Sequence, residues 1–450
     1  MKKHHLLYLA IFAATSLYSC SKFTDIRTEG ALTPGEYLNF RYLMNNQDLK
    51  RSVDMPDYSA DDTEYTDSAM QKSLSPEYLR GYMWADQYYD AITADPDWKI
   101  SYASTYTCNL VIQDVMGSAG GTVQEKNQVI AEARVHRAYN YFMLVNEYGK
   151  QYDAATSSKD LGVPLMLKPD VAEVAVRGTV QEAYDQIISD LTQAIPSLPD
   201  KNNYNIYPSK AAAYALLART YLQMGRFAEA GEYADKALTI QNTLLDLPNS
   251  TVPRHIYDPE IILVKEAGTS HTYSNLLVLS KELKALYQPT DIRYTKLTQD
   301  YTYSGKVFRV NASEMVNYET RNVGVTVPEM MLIKAETLAR AGKANEAMAI
   351  INTLRKKRFS AADYSELSAS TADEALIKVL EERRRELAFK SIRWFDQKRL
   401  AAEPRFAKPI TRTNLVSGAS YTLAPNSNRY VYPIPAYNIQ LNPALEQNPR

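Results

Sequence analysis

The chain has 450 residues, with 51 Lys and Arg against 52 Asp and Glu and a formal net charge of −1. That balance supplies no broad basic field and excludes a nucleic-acid face built on net charge, while the length allows one large domain or two to three ordinary ones. The composition stands out in its 34 Tyr against 10 Phe and 3 Trp; tyrosine pairs an apolar ring with a polar tip and suits wet interfaces and sugar rings better than dry cores.

In chain order, residues 1–19 read as a leader. Lys2 and Lys3 precede an apolar run over 6–14, which is too short to span a bilayer. The run ends at Leu17-Tyr18-Ser19-Cys20, which resembles a bacterial lipobox with Cys20 as the acylated first residue of the mature chain. Lipid there would hold the protein to a membrane without a spanning helix. Residues 20–32 are polar and unpatterned, a tether. Only Cys108 remains, so the mature chain has no pair for an intrachain disulfide, and a helical context predicts a small buried residue.

Five T-x-x-E sequences follow: Thr33/Glu36, Thr122/Glu125, Thr179/Glu182, Thr326/Glu329 and Thr371/Glu374. Each can form a capping box, in which hydroxyl and carboxylate satisfy the free amides of a helix's first turn. Five of them predict a helix-rich chain. Between 52 and 98 the periodicity dissolves. Asp54, Asp57, Asp61, Asp62, Glu64 and Asp67 alternate with Tyr58 and Tyr65, an open acidic cluster that could take calcium but lacks an EF-hand's order. Tyr82, Trp84, Tyr88 and Tyr89 follow as the densest aromatic group, read either as a stacking platform or as anchors of the loop.

The segment 132–148 is a strong helix ended by Gly149, and GVPLMLKP then crosses in extended form to a helix over 179–195. The stretch 209–238, SKAAAYALLARTYLQMGRFAEAGEYADKAL, has the small-residue spacing of a tetratricopeptide hairpin broken at Gly225. Such a pair cannot bury its own apolar face and needs stacked neighbours. Segment 249–322 alternates short strand-like pieces with turns and carries Tyr301 and Tyr303. A second hairpin over 328–358 repeats the spacing, with Ala335, Leu338, Gly342, Ala347 and Ile351 in the places of Ala218, Tyr221, Gly225, Ala230 and Ala234. Its closing Arg355-Lys356-Lys357-Arg358 suits the negative end of a helix dipole. The pattern predicts one last long helix over 373–400, with pairs Glu381/Arg385 and Glu386/Lys390. Glu381 and Glu382 read as members of a structural ion-pair network.

In order and spacing, the lipobox, EARVHRAYNYFMLVNEYG with GVPL, SKAAAYALLARTYL, PEMMLIKAETLARAG, LEERRRELAFKSIRWFDQKRL and YPIPAYNIQLNPALEQNP resemble the SusD/RagB family. Where that family has Glu-Gly before Arg-Trp-Phe-Asp, this chain has Lys390 and Ser391. The resemblance implies that 33–450 form a single, mainly α domain: tetratricopeptide-like helix pairs in a right-handed superhelical scaffold, with long irregular loops and a few short β-hairpins. It also implies a lipid-anchored outer-membrane protein, facing the cell exterior, that captures oligosaccharides and passes them to a SusC-type TonB-dependent transporter. A scaffold that binds peptides or proteins is the alternative.

No cofactor and no catalytic residue is expected; motifs such as H-E-x-x-H, G-x-S-x-G and the P-loop are absent. A glycoside hydrolase would need two facing carboxylates, for which Asp61 and Glu64 are candidates. Aromatic density in loop-like segments nominates Trp84, Tyr82, Tyr88, Tyr89, Tyr301 and Tyr303 for ligand contact.

Overall fold

The computed structural model describes residues 34–268, 275–313, 316 and 319–450. The leader, Cys20, the tether and Thr33 lie outside the described residues. The frame is a succession of helices: α1 (Pro96–Asp114), α2 (Val123–Tyr148), α3 (Val180–Ala194), α4 (Lys210–Gln223), α5 (Phe227–Ile240), α6 (Val327–Arg340), α7 (Ala344–Arg355), α8 (Ala372–Glu386) and α9 (Arg393–Leu400). From α1 to α8 each helix packs on the next. The α5–α6 contact is the informative one, because it joins the two predicted hairpins across the whole of segment 241–326. Each hairpin thus finds in the other the neighbour it needs. Among the described residues, no helix is long and apolar enough to cross a membrane.

Local chemistry sets the helix ends. Complete capping boxes form at Thr122/Glu125 and Thr179/Glu182, with each carboxylate accepting from the threonine amide at 2.7 Å. Thr326 and Thr371 cap their helices through the hydroxyl alone. The first of the five departs from expectation, since its helix starts only at Tyr37, with Glu36 as the cap residue. The turns inside both hairpins need glycine: Gly225 has φ +73° and Gly342 φ +81°. α5 approaches α6 closely at Gly231, where an added Cβ would lie 2.8 Å from Thr337 Oγ1, while Ala230, Ala234 and Ala237 are buried along α5.

Buried arginine–carboxylate pairs lock these junctions. Arg137 of α2 meets Asp190 of α3 through two bonds of 2.9 and 2.6 Å. Arg219 of α4 meets Glu329 of α6 at 2.7 and 2.6 Å, which is why Glu329 is not free to close its capping box. Arg399 of α9 meets Glu336 of α6 at 2.6 and 2.8 Å.

The predicted long helix over 373–400 is in fact two. Phe389 and Ser391 take left-handed φ values of 57° and 56°, and the chain folds back so that Asp396 reaches Arg383 at 2.8 Å. Ser391 therefore keeps a conformation that favours glycine. Its amide and hydroxyl are both held by buried Asp57, at 2.9 and 3.0 Å. The expected pairs Glu381/Arg385 and Glu386/Lys390 give way to others. Arg385 pairs with Glu382, and Glu386 takes Arg293 and Arg358. Arg355 and Arg358 likewise serve as buried ion-pair partners of Glu382, Glu386 and Glu260, a stronger role than a dipole contact. Of the two glutamates expected in an ion-pair network, Glu382 is its fully buried centre, whereas the Glu381 side chain takes no part in it.

Two-stranded sheets decorate the frame. Arg51–Ser52 pairs in parallel with Glu266–Ala267, tying the early irregular segment to segment 241–326. β1 (Thr298–Tyr303) and β2 (Lys306–Asn311) form a hairpin, as do β3 (Ile410–Thr413) and β4 (Ser420–Leu423). The β1–β2 turn is Ser304-Gly305, both at positive φ, as a tight two-residue hairpin requires. Segment 52–98 contains three short helices, Met55–Ser59, Ser68–Lys72 and Pro76–Tyr82. The helices Lys281–Leu286 and Ile292–Leu297 stand where only strands and turns were expected.

Two outcomes follow for stability. An added Cβ at Gly225 or Gly342 meets nothing within 4 Å, so alanine at either site should cost only the backbone term, about 1 kcal/mol, by urea unfolding. Glu329→Gln leaves the Arg219 charge buried and unpaired, and a loss of about 3–5 kcal/mol is expected. A loss under about 1 kcal/mol would show that α4 and α6 do not rely on the pair.

Candidate functional site

A cleft with a cavity volume of about 900 Å³ opens where the variable segments meet the last two frame helices. One wall is residues 61–66 of the early segment, and another is 280–286. The floor comes from α8 and α9, and residues 405–415, leading into β3, close the remaining side. Its lining is mixed. Ile377, Leu380, Phe406 and Leu415 supply apolar surface, while Glu64, Glu381, Lys408 and Thr411 supply polar tips. Among the described residues, Glu381 and Lys408 make no hydrogen bond or ion pair, so both are available to a ligand. A cleft of this size, with charged and polar side chains interleaved among apolar ones, can take a small polar ligand.

Arginines fix the walls. Arg393 holds Asp61 through two bonds of 2.7 and 2.9 Å, and Arg384 holds Asp62 at 2.6 Å. Gln397 accepts from the Asp61 amide at 3.0 Å, and Glu64 accepts from the Lys281 amide at 3.0 Å, joining the two variable walls. Burial alone would raise the Asp61 pKa, but the Arg393 and Arg384 guanidiniums outweigh it and keep the carboxylate far below the usual range. Asp61 is therefore held as a carboxylate, with no proton to donate. Among the described residues, no group of three or more His, Cys, Asp or Glu could hold a metal ion. The acidic cluster has other partners: Asp57 pairs with Arg321 and Asp67 with Lys306, and Tyr78 donates to Asp54 at 3.0 Å.

Sequence reasoning missed Arg412, which organises the loop wall. It is buried, and its guanidinium donates to the carbonyls of Tyr58, Ser59, Ala60, Thr63 and Tyr82. It also lies 3.9 Å from the Tyr82 ring centroid and 4.5 Å from that of Trp84. The expected stacking platform is corrected by these contacts. Trp84 is fully buried, with Arg412 over its ring and its indole N–H given to the Ser59 carbonyl at 3.0 Å. Tyr82, Tyr88 and Tyr89 are also buried, at 2, 3 and 6 % exposure. The Tyr82 hydroxyl accepts from the Tyr65 amide, and Tyr88 sits edge-on to Tyr432. Trp84, Tyr88 and Tyr89 form the inside of the loop, whereas Tyr82, though buried, lines the cleft. Tyr301 and Tyr303 differ: they share one face of β1, are half-buried, and keep their rings nearly parallel at 6.4 Å.

Behind the aromatic loop lies a knot of carboxylates. Asp95 caps α1, accepting from the Asp97 amide at 2.9 Å and from the Tyr148 hydroxyl at 2.6 Å. Burial pushes its pKa up to about 6. Burial also lifts Asp97 and Glu147 well above the carboxylate range, reinforced by Asp54 and Asp95 around Asp97 and by all three aspartates around Glu147.

Comparison with known proteins places the chain. A family model described as starch-binding and associating with the outer membrane matches residues 39–222, and one described as the SusD family matches 285–450. The chain belongs to the SusD family. A tetratricopeptide model also matches residues 211–243, the first hairpin. Among curated relatives of this SusD-family chain, SusD-like protein P2 of Formosa agariphila is 26 % identical over 370 residues, 67 % of this chain and 71 % of that protein. SusD-like protein P38 of the same organism is 22 % identical over 85 % of this chain and 82 % of its own. A SusD superfamily crystal structure from Bacteroides thetaiotaomicron superposes with a TM-score of 0.74 at 21 % identity, covering 92 % of this chain and 100 % of that one. Surface glycan-binding protein A from Bacteroides uniformis gives 0.71 at 16 %, covering 91 % and 99 %. At these identities the structures support the shared fold alone. The mainly α, tetratricopeptide-like scaffold expected of the SusD family is the one found.

The carboxylate knot sets a pH dependence. In the folded chain Asp95 keeps its proton to about pH 6, whereas the unfolded chain releases it near pH 4. Folding thus takes up a proton in that window, and stability falls as pH rises through it. Asp95→Asn, which retains a cap acceptor, should flatten the fall by about 1–2 kcal/mol between pH 4 and 6.5, read from urea midpoints. An unchanged slope would assign Asp95 no ionisation in this range.

Proposed function

We propose that this protein captures oligosaccharides in the cleft between its variable segments and α8–α9, and delivers them to a SusC-type TonB-dependent transporter without altering them. The observation that carries the reading is the cleft itself: about 900 Å³, with apolar and polar side chains interleaved on its walls and the side chains of Glu381 and Lys408 unengaged among the described residues. A sugar ring offers apolar C–H faces to Phe406 and Leu380, and its hydroxyl edge to Glu381 and Lys408. Tyr301 and Tyr303 add a nearly parallel ring pair on the β1–β2 hairpin, which Lys306 ties to the cap residue Asp67. The family's association with the outer membrane supports the same reading, with lipid on Cys20 as the anchor and the cleft displayed to the cell exterior. Starch-like glucans are one class to test, given the description of the matched family. The reading needs binding alone, in keeping with a cleft whose Asp61 is locked by arginine.

Calorimetry against a panel of starch, β-glucan, xylan and mannan oligosaccharides tests it. The parent is expected to bind at least one, and Phe406→Ala with Glu381→Ala should weaken that binding by tenfold or more, about 1.4 kcal/mol. Equal affinity in parent and variant removes the cleft from the reading. Binding of peptides with no sugar retained would favour the peptide-binding scaffold instead.

A further inference from the structure

We infer that a second carbohydrate-binding surface lies on Tyr204, Tyr207 and Tyr257, sharing no residue with the cleft and serving to hold a polysaccharide chain while one end is taken up. The inference rests on the glycan reading above, and it starts from an anomaly of exposure. Most aromatic side chains here are buried or half-buried, yet Tyr257 is 61 % exposed and Tyr204 is 43 % exposed, and the two rings lie 5.9 Å apart at 60°. Tyr207 joins them, 6.5 Å from Tyr204 at 66°. Scattered exposed aromatics need no explanation, but a cluster of three ordered rings does.

The cluster is built to be rigid. Tyr204 and Tyr207 come from the turn before α4, and Tyr257 comes from a separate turn, His255–Tyr257. Buried Asn205 clips the two together. Its side-chain amide donates to the carbonyls of His255 at 3.0 Å and Asp258 at 2.7 Å, and its own carbonyl accepts from the Val264 amide at 2.8 Å. Asn202 braces the first turn from the other side, donating to the carbonyls of Tyr207 and Pro208 at 3.1 and 2.7 Å. Rings fixed before a ligand arrives lose little entropy on binding, which favours a recognition role over incidental display.

The surroundings select a sugar. Rings set at about 60° to one another form a shallow angled cradle, and three phenol tips around it can both donate and accept hydrogen bonds, as ring hydroxyls demand. The guanidinium of Arg41 lies 5.3 Å from the Tyr207 centroid, and that of Arg254, three residues before Tyr257, is exposed and paired at 3.1 Å with Glu319. Both charges are neutralised, Arg41 by Glu132 at 2.7 Å, so the rim offers donors without net attraction for a polyanion. A neutral polysaccharide fits that rim. Two weak contacts on one long chain give more retention than either alone, because the second forms at high effective concentration.

The test compares Tyr204→Ala/Tyr257→Ala with the parent and with the cleft variant Phe406→Ala/Glu381→Ala. Retardation is read in native gels containing amylopectin, laminarin, xylan or galactomannan, and calorimetry uses the matching hexasaccharides. The tyrosine variant is expected to lose fivefold or more of its polymer affinity and to bind the hexasaccharide within twofold of the parent, while the cleft variant loses both. Tyr257→Phe, which keeps the ring, should retain most of the polymer binding. Polymer retention unchanged in the tyrosine variant overturns the second surface while leaving the cleft reading intact. A parent that none of the four polymers retards overturns both. Loss of a co-purifying membrane protein with polymer binding preserved also overturns it and makes the patch a protein interface.

Discussion

Buried arginine–carboxylate pairing is the constraint on which this architecture rests. Packing of small side chains brings the helices close, but alanines and glycines specify little about which neighbour is correct. The pairs Arg137–Asp190, Arg219–Glu329 and Arg399–Glu336 each join a different couple of helices through two parallel hydrogen bonds. Such a pair is costly to bury and worse to break, so it penalises a wrong junction more than it rewards a right one. Around Glu382 the principle extends to a cluster, with Arg293, Arg355 and Arg385 sharing one carboxylate. Arg293 comes from segment 241–326, so the variable insertion is held to the frame by the same device.

That device also decides what is left for recognition. The acidic residues of the early segment look like a metal site in one dimension, yet Asp57, Asp61 and Asp62 are taken by Arg321, Arg393 and Arg384. The aromatic group that follows looks like a platform, yet Arg412 packs on Tyr82 and Trp84 and turns them inward. Chemistry-rich stretches are consumed in making an irregular segment rigid. Among the described residues, the groups left available include Glu381 and Lys408 in the cleft, the Tyr301–Tyr303 pair and the Tyr204 cluster.

The frame was legible in the sequence because its signals are local. Gly225 and Gly342 fall at matching places in two similar stretches, and Thr122/Glu125 and Thr179/Glu182 lie three residues apart, so spacing alone exposes them. The irregular segments were not legible, because their partners are distant: Arg412 and Trp84, or Arg393 and Asp61, are hundreds of positions apart. No local pattern records whether an aromatic ring faces water. Lys390 and Ser391 show the same limit on a small scale. The stretch around them reads as continuous helix, but Asp57, far upstream, holds Ser391 in a left-handed turn and splits the helix in two. Tyr204 and Tyr257 carried no signal either, since what unites them is Asn205, clipping one turn to another.

The α5–α6 contact has a consequence for how such a protein diversifies. Segment 241–326 begins and ends at helices that touch, so it is a closed loop, and the entropy of closing a loop grows only with the logarithm of its length. Doubling the segment would cost about 0.6 kcal/mol on that account, less than one misplaced glycine in a hairpin turn. Insertions there are thermodynamically cheap. Selection can lengthen, shorten or replace the segment while the hairpins on either side stay in register.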